Sequence, residues 1–298
     1  MILLVAIAVS AVGWLGYRDL VKEFLPRVLD RAESHSRLIA SDLESYVRGA
    51  RGDIASFRSA AALNGLIRAR TAGGIDPIDG LPEKTWRERM GEHLIAELQA
   101  KPSYAQFRII GVEDGGRELL RVDRSGPNGA VRLVPDAELQ QKGEHSYFKE
   151  TIGLAANEIH VSALDLNREH GVVERPYRPT LRIAAPLQRP DGKRFGIIVV
   201  NVDMRPALDR VRSSARQDGA IYVIGKRGDY FVHPDPAQEF GSDLGRPADW
   251  RKDFPDLAPL LGSTGSIART IPDNAGRQDG VALASAILAD SEWVGILE

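Results

Sequence analysis

Between Val28 and Ala61 the sequence carries a periodicity that few folds accommodate. Val28, Ala32, His35, Ile39, Leu43, Tyr46, Ala50, Ile54, Phe57 and Ala61 follow one another at spacings of 4, 3, 4, 4, 3, 4, 4, 3 and 4. Eleven residues per three turns is about 3.67 residues per turn, which keeps a stripe on one face of a nearly straight helix. Carried over residues 18–69, the helix would be about 75 Å long at 1.5 Å per residue. Pro26 predicts a kink or break near its start. Small residues on the stripe allow a second helix to approach closely. The C-terminal part is expected on the chain's own sheet, and the N-terminal part on a second copy, as a homodimer.

The 17 residues from Met1 to Tyr17 contain no charge. A secretory signal would carry a basic stretch before its apolar run, and none is present. A membrane anchor lacking its first residues, with Trp14 and Tyr17 at the interface, fits better; a buried N-terminal helix is the alternative. The 298 residues, 43% hydrophobic and 27% charged, suffice for two globular domains beyond this stretch. Cysteine is absent, which excludes disulfide frameworks, thiolate nucleophiles, zinc–thiolate sites and iron–sulfur clusters. The 39 Lys and Arg against 41 Asp and Glu show no basic excess, so nucleic acid is not an expected partner.

Past a Gly- and Pro-rich loop, Thr71–Pro82, a helix is expected at Glu83–Ala100. Strand-length alternation follows at Ala105–Gly111, Glu118–Asp123 and Ala130–Val134, with turn signals at 114–116 and 126–129. A short helix at Ser146–Ile152 precedes strands at Ile159–Ala163, Thr180–Leu187 and Phe195–Asp203, the last two closed into a hairpin by Arg189–Lys193. A linking helix from Pro206 to Gln217 opens a smaller version of the same theme. Its strands read at Ala220–Gly225, Tyr230–Val232, Ser266–Ile271, Val281–Leu288 and Trp293–Leu297, with a short helix near Asp256–Leu261. Antiparallel hairpins with segregated helices define an α+β class. The expected division is an anchor at 1–17, a long helix at 18–69, a larger sheet domain at 70–205, a linking helix at 206–218 and a smaller domain at 219–298.

This order resembles double Cache sensor domains, the tandem PAS-like extracytoplasmic regions of bacterial histidine kinases, chemoreceptors and cyclic-dinucleotide enzymes. The residues that carry the resemblance are Tyr147-Phe148, Val161-Ser162 with Asp165-Leu166-Asn167, Pro176–Arg182 with Pro186, and Gly196–Asp203. In the smaller domain they are Gly228–Pro236 and Asp253-Phe254-Pro255. The Ser-x-x-Asp-Leu-Asn run and the Asn-Val-Asp ending look most like the histidine-kinase branch.

The resemblance implies a ligand pocket in the larger, membrane-distal domain. Amino-acid-binding members carry Arg-x-Trp-Tyr at the mid-domain helix and an aspartate ending the last strand, which accepts the ligand ammonium. Here His145-Ser146-Tyr147-Phe148 stands at the helix, so the carboxylate-gripping arginine is absent, while Asp203 matches the final aspartate. Strand alternation puts Phe195, Ile197, Val199, Asn201 and Asp203 on one face; Gly196, Ile198, Val200 and Val202 form the other, which suits packing on the long helix. Arg182, on the neighbouring strand, suits bidentate binding of a carboxylate or phosphate; the alternative is that Arg182 and Asp203 neutralise each other. His145, Lys149, Ser162 and Arg178 complete the candidate set, with a plain surface role as their alternative.

Chemistry other than binding has little support. His233-Pro234-Asp235-Pro236 reads as a proline-fixed turn and Glu169-His170-Gly171 as a solvated loop tip. A rival reading, an anchored metal-dependent hydrolase, would use His160, Asp165 and His170. No nucleophile elbow, phosphate loop or dinucleotide fingerprint is present. The expected protein is a non-enzymatic sensing region of an inner-membrane receptor, most simply a histidine kinase, facing the periplasm or the outside of the cell and binding a small molecule without metal or cofactor. A chemoreceptor or cyclic-dinucleotide enzyme is the alternative receptor. A ligandless partner-binding module, its pocket filled by Phe148 and Phe195, is the third reading.

Overall fold

The computed structural model describes residues 2–125, 129–215, 219–257, 266–272, 278–289 and 292–297. The expected turn residues 126–128, the end of the linking helix at 216–217 and the expected helix residues 258–261 lie outside them.

The periodic segment forms α1 (Ile2–Arg58), which runs through Pro26 without ending there. Ile39, Leu43, Val47, Ala50, Ile54 and Phe57 are its buried stripe. The expected continuous helix to residue 69 is interrupted. Ser59 and Ala60 donate to the carbonyls of Ser56 and Phe57, three residues back, and Ala60 turns to ψ 135°. A new helix, α2 (Ala61–Thr71), starts there, and Ala61 is exposed instead of continuing the stripe. The redirected chain meets α3 (Glu83–Ala100) at Gly65, where a Cβ would stand 2.3 Å from Trp86 Cδ2. Only a residue without a side chain lets the indole lie that close.

Among the described residues no helix is long and apolar enough to cross a membrane. The expected anchor at 1–17 falls on the first part of α1. Val5, Val9, Val12, Trp14 and Leu15 on this stretch of α1 are exposed.

The chain divides into two compact units, the larger comprising residues 44–209 with 288–292. Its strands are β1 (Tyr104–Gly111), β2 (Glu118–Ser125) and β3 (Ala130–Leu133) before the short helix α4 (Ser146–Gly153). After α4 come β4 (His160–Val161), β5 (Asp165–Leu166), β6 (Arg168–Glu169), β7 (Val172–Val173), β8 (Pro179–Gln188) and β9 (Arg194–Asp203). An antiparallel sheet in the order β3-β2-β1-β9-β8-β4 forms, with β5 also on β8; β6 and β7 pair separately as a small hairpin. Phe107, Ile109, Leu120, Val122, Ile198, Val200, Leu181 and Ile183 are buried on one face, where Phe57 of α1 meets Phe107 edge-on at 5.3 Å. This is the face that alternation assigns to the long helix. The opposite face carries α4 at its apolar end, where Tyr147 and Phe148 pack with Ile110, Ala184, Ile197 and Val199.

The other unit comprises residues 1–43, 210–287 and 293–298. Helix α5 (Arg205–Ser214) leads into β10 (Tyr222–Gly225), β11 (Tyr230–Val232), α6 (Trp250–Asp253), β12 (Ser266–Pro272), β13 (Gln278–Ala289) and β14 (Glu292–Leu297). The sheet order is β11-β10-β14-β13-β12. At Trp250–Asp253 the Asp249 carboxylate caps Arg251 N, and Trp250 is buried against Ile224, Tyr230, Leu257 and Leu283. At His233-Pro234-Asp235-Pro236 the imidazole Nδ1 accepts from Asp235 N at 2.9 Å, and Asp235 caps Ala237 N, which makes this a structural turn. The α+β class, with a long helix ahead of two antiparallel-sheet domains, is as the sequence predicts.

Candidate functional site

On the face of the larger sheet that carries α4, polarity rises along the strands. β9 contributes Ile197, Val199, Asn201 and Asp203, and the register sets Asn201 beside Gln106 of β1 and Arg182 of β8. The next pair along places Arg108 of β1 directly opposite Arg121 of β2. Like charges facing each other across two strands are destabilising unless something neutralises them.

Three carboxylates do so. The β1–β2 register slips between Ile109 and Ile110, leaving Leu119 as the extra residue and setting Glu118 against Ile110. This bulge re-aims Glu118 onto the arginine face. Glu118 Oε1 lies 2.8 Å from Arg108 Nε, and its Oε2 lies 3.7 Å from Arg121 Nη1. Asp123 pairs with Arg121 Nη2 at 2.9 Å. The third, Glu169, arrives from outside the sheet on the β6–β7 hairpin. It accepts from Arg108 Nη2 at 2.8 Å and from Gln140 Nε2 at 2.9 Å, and lies 3.9 Å from Arg121 Nη1. Burial alone pushes the Glu169 carboxyl upward, but Arg108, Lys142, the Gln140 hydrogen bond and Arg121 together hold it at about 2. At Glu169-His170-Gly171 the tip residues His170 and Gly171 are exposed, as expected, but the glutamate turns inward to the arginines.

Lys142, on the loop ahead of α4, is 3% exposed. Burial, with Arg108 close by, pulls its ammonium down to about 8. Burial raises the Tyr147 phenol, with Arg108 and Arg182 pulling the other way, which puts its hydroxyl among these cations. Several buried polar atoms here have no hydrogen-bond partner, including Arg121 Nη1, Tyr147 Oη and Asn201 Oδ1.

The residues that the sequence singled out fall into separate groups. Arg182 joins the cluster, paired with Asp165 at 2.6 Å and standing 5.6 Å from the Tyr147 ring. Asn201 donates to Gln106 Oε1 at 3.1 Å and to Asn167 Oδ1 at 3.4 Å. Ser162 accepts from Arg182 N at 3.0 Å and donates to Ala163 O, so its hydroxyl serves the backbone. The His145 ring lies 5.6 Å from that of Tyr147, and Phe148 is part of the apolar core. Lys149 points away, in an exposed ion pair with Glu144 at 2.7 Å. Arg182 and Asp203 do not neutralise each other. Asp203 instead accepts from Arg205 N and Nε at 3.0 Å, capping α5, with Arg178 Nε at 3.8 Å and Glu174 beyond it.

The residues imagined as a metal site are dispersed. His160 faces Glu150 at 3.6 Å, Asp165 holds Arg182, and His170 sits in a turn with φ 51°. On β8, His160 and Asp165 pair with Ala184 and Thr180, four residues or about 13 Å apart. Among the described residues no group of three or more His, Cys, Asp or Glu could hold a metal ion.

Sequence reasoning missed Gln106, Arg108, Glu118, Arg121, Gln140 and Lys142. Polar residues at alternate positions of β1, Gln106 and Arg108 alternating with Phe107 and Ile109, are the signal that could have exposed the first two. The bulge that turns Glu118 inward leaves no mark in a single sequence.

Comparison with known proteins gives a consistent answer. The family model described as bacterial histidine kinase, sensor domain, matches residues 81–260, more than half of the chain. No curated protein sequence matches. Among solved structures, a domain assigned to a sensory box/GGDEF family protein of Vibrio parahaemolyticus aligns with a TM-score of 0.68 at 17% identity, over 90% of this chain and 96% of that one. The extracellular domain assigned to the histidine kinase vpHK1S-Z8 gives 0.68 at 18% identity, over 90% and 91%. The ligand-binding domain of the amino acid chemoreceptor PctC of Pseudomonas aeruginosa PAO1, in complex with GABA, gives 0.56 at 13%, over 91% and 99%. At such identities the likeness is one of fold.

Proposed function

The chain belongs to the bacterial histidine kinase sensor-domain family, and from that premise we propose that the polar end of the α4-bearing sheet face binds a small extracytoplasmic molecule with an anionic group. The observation that carries this reading is the set of bare polar atoms. Arg121 Nη1, Tyr147 Oη and Asn201 Oδ1 are buried and lack hydrogen-bond partners, Arg121 and Asn201 on the sheet face and Tyr147 on the helix that covers it. A buried polar atom left unpaired costs about 1–3 kcal/mol, and native interiors hold few of them. Several around one cationic patch are donors and acceptors held for a guest. Arg121 and Arg182 donate to the anionic oxygens, Tyr147 donates from its hydroxyl, and Asn201 Oδ1 accepts from an ammonium or hydroxyl of the same molecule. His145, Ser162, Phe148, Arg178 and Asp203 belong to the walls and rim, and Lys149, paired with Glu144, lies outside them. The GABA complex of the structural neighbour is an analogy in favour of a small carboxylate-bearing guest.

Recognition, not catalysis, is the role of this chain; the signalling reaction belongs to other parts of the receptor. The receptor sits in the inner membrane with these domains in the periplasm, and two copies pair along α1. A ligand shifts the conformational equilibrium only by the difference in its affinity for the two states. The polar contacts from Asn167 and Glu174 through Arg178 to Asp203 offer a route from the site to the first turn of α5. A thermal-shift screen of the chain against organic acids, amino acids, amines and nucleobases tests the reading. At a hundred times its dissociation constant a ligand adds about 2.7 kcal/mol, or a rise of several degrees at about 2–4 °C per kcal/mol. The expected hits are anionic and vanish in Arg182→Ala. Hits confined to amines and nucleobases would contradict it.

A further inference from the structure

Glu169 stands apart from the other carboxylates of the cluster. Glu118 and Asp123 belong to the same strand as Arg121, and Asp165 pairs on β8 beside Arg182. Glu169 instead rides on a hairpin outside the main sheet, with strands of two residues each. So short a hairpin has little stability of its own. Its turn, His170-Gly171, puts both residues at positive φ, 51° and 81°. Glycine adopts this without cost, whereas a histidine there is strained. The base is fixed: Asn167 N donates to Arg178 O, Glu174 N donates to Asn167 O, and the Asn167 amide donates to Glu174 Oε2, all at 2.9 Å. Beyond the base, Glu169 carries the hairpin's ionic contacts with the arginine pair. Both its carboxylate oxygens are engaged, Oε1 by Arg108 and Oε2 by Gln140. A planar anion held from two sides by guanidinium and amide donors is the manner in which a free carboxylate is recognised.

We propose that Glu169 is a tethered stand-in for the ligand: its carboxylate occupies the seat formed by Arg108, Arg121 and Gln140, and a small carboxylate ligand binds by displacing it and freeing the β6–β7 hairpin. This rests on the reading of the cluster as the ligand site and adds the class of the ligand and the element that moves. The ligand exchanges one carboxylate for another, so the buried cations stay neutralised throughout. Displacement leaves the Asn167–Glu174 base as the hinge. From that base Glu174, Arg178 and Asp203 lead to α5, so release of the hairpin acts on the contacts that cap that helix.

Chemical rescue tests this. Glu169→Ala empties the seat without touching the arginines. Its melting temperature is expected to fall below that of the wild type in chloride and to recover by roughly 3 °C when about 100 mM acetate replaces chloride at equal ionic strength. The wild type, its seat already filled, is expected to move by less than about 1 °C under the same exchange. Acetate that stabilises both proteins equally, or neither, overturns the proposal. Should Glu169→Ala not fold in chloride, Glu169→Ser, which keeps a hydrogen-bonding group for Gln140, takes its place. Folding that requires acetate supports the proposal; failure of both variants to fold in either salt contradicts it. Rescue without any metabolite hit on the wild type would leave the seat established and count against the sensing role. A metabolite hit lost in Arg182→Ala, without rescue, would retain the site and remove the stand-in.

Discussion

At the residue scale, the folded environment lowers the pKa of both Glu169 and Lys142, with opposite consequences for stability. The folded-state value of Glu169, about 2, lies below the ordinary 4.5. The folded protein thus binds fewer protons than the unfolded chain between these values, and stability rises with pH across that window. The contribution is complete above about pH 4.5 and is lost as pH falls toward 2; a shift of this size corresponds to on the order of 3 kcal/mol. Glu169→Gln should therefore show a flatter fall in melting temperature from about pH 5 to pH 2.5 than the wild type. An equally steep fall in both proteins would mean that the carboxylate is not held by the arginines. Lys142 shows the reverse sense: its folded value of about 8 lies below 10.5, so its burial penalty is present at neutral pH and fades above 8. A buried ammonium kept at such a disadvantage suits a site that needs positive charge. Arg182 and Asn201 were legible because alternation fixes which side chains share a face. Glu169 was not, because its inward turn depends on Arg108, 61 residues away in the chain.

At the element scale, α1 shows both what periodicity can decide and where it stops. The stripe from Ile39 to Phe57 is buried as its spacing requires. Its continuation to Ala61 fails because the chain turns to lay Gly65 against Trp86, a tertiary contact that no local pattern announces. The strands of the larger sheet were legible for the same reason as the stripe, each having one fully apolar face. The slip between β1 and β2 was not, since a bulge alters register without altering composition. Toward the N-terminus of α1, Phe24 and Val28 are each 55% exposed, and Leu38 is 70% exposed. Exposed apolar side chains of this size on one helix suit a second copy of that helix. Sedimentation velocity should find a dimer at micromolar concentration, weakened at least tenfold by Val28→Glu, which is about 1.4 kcal/mol. A monomer at all concentrations would remove pairing along α1 from the account.

At the scale of the whole molecule, the order of a long helix and two antiparallel-sheet units could be read from the sequence, because helix and strand periods differ and the turn residues punctuate them. What the sequence could not supply was the composition of the binding face. Gln106, Arg108, Glu118 and Arg121 lie about 60–100 residues before Arg182 and Asn201 in the chain, and only the strand order β2-β1-β9-β8 brings them together. The account rests on that convergence. Its most direct test is isothermal titration calorimetry of the strongest anionic hit from the metabolite screen, against the wild type, Arg121→Gln, Tyr147→Phe and Lys149→Ala. Affinity should fall at least tenfold in the first two variants, about 1.4 kcal/mol or more. It should stay within about twofold in Lys149→Ala, whose ammonium faces Glu144. Unchanged affinity in Arg121→Gln and Tyr147→Phe would place the ligand elsewhere and contradict the account.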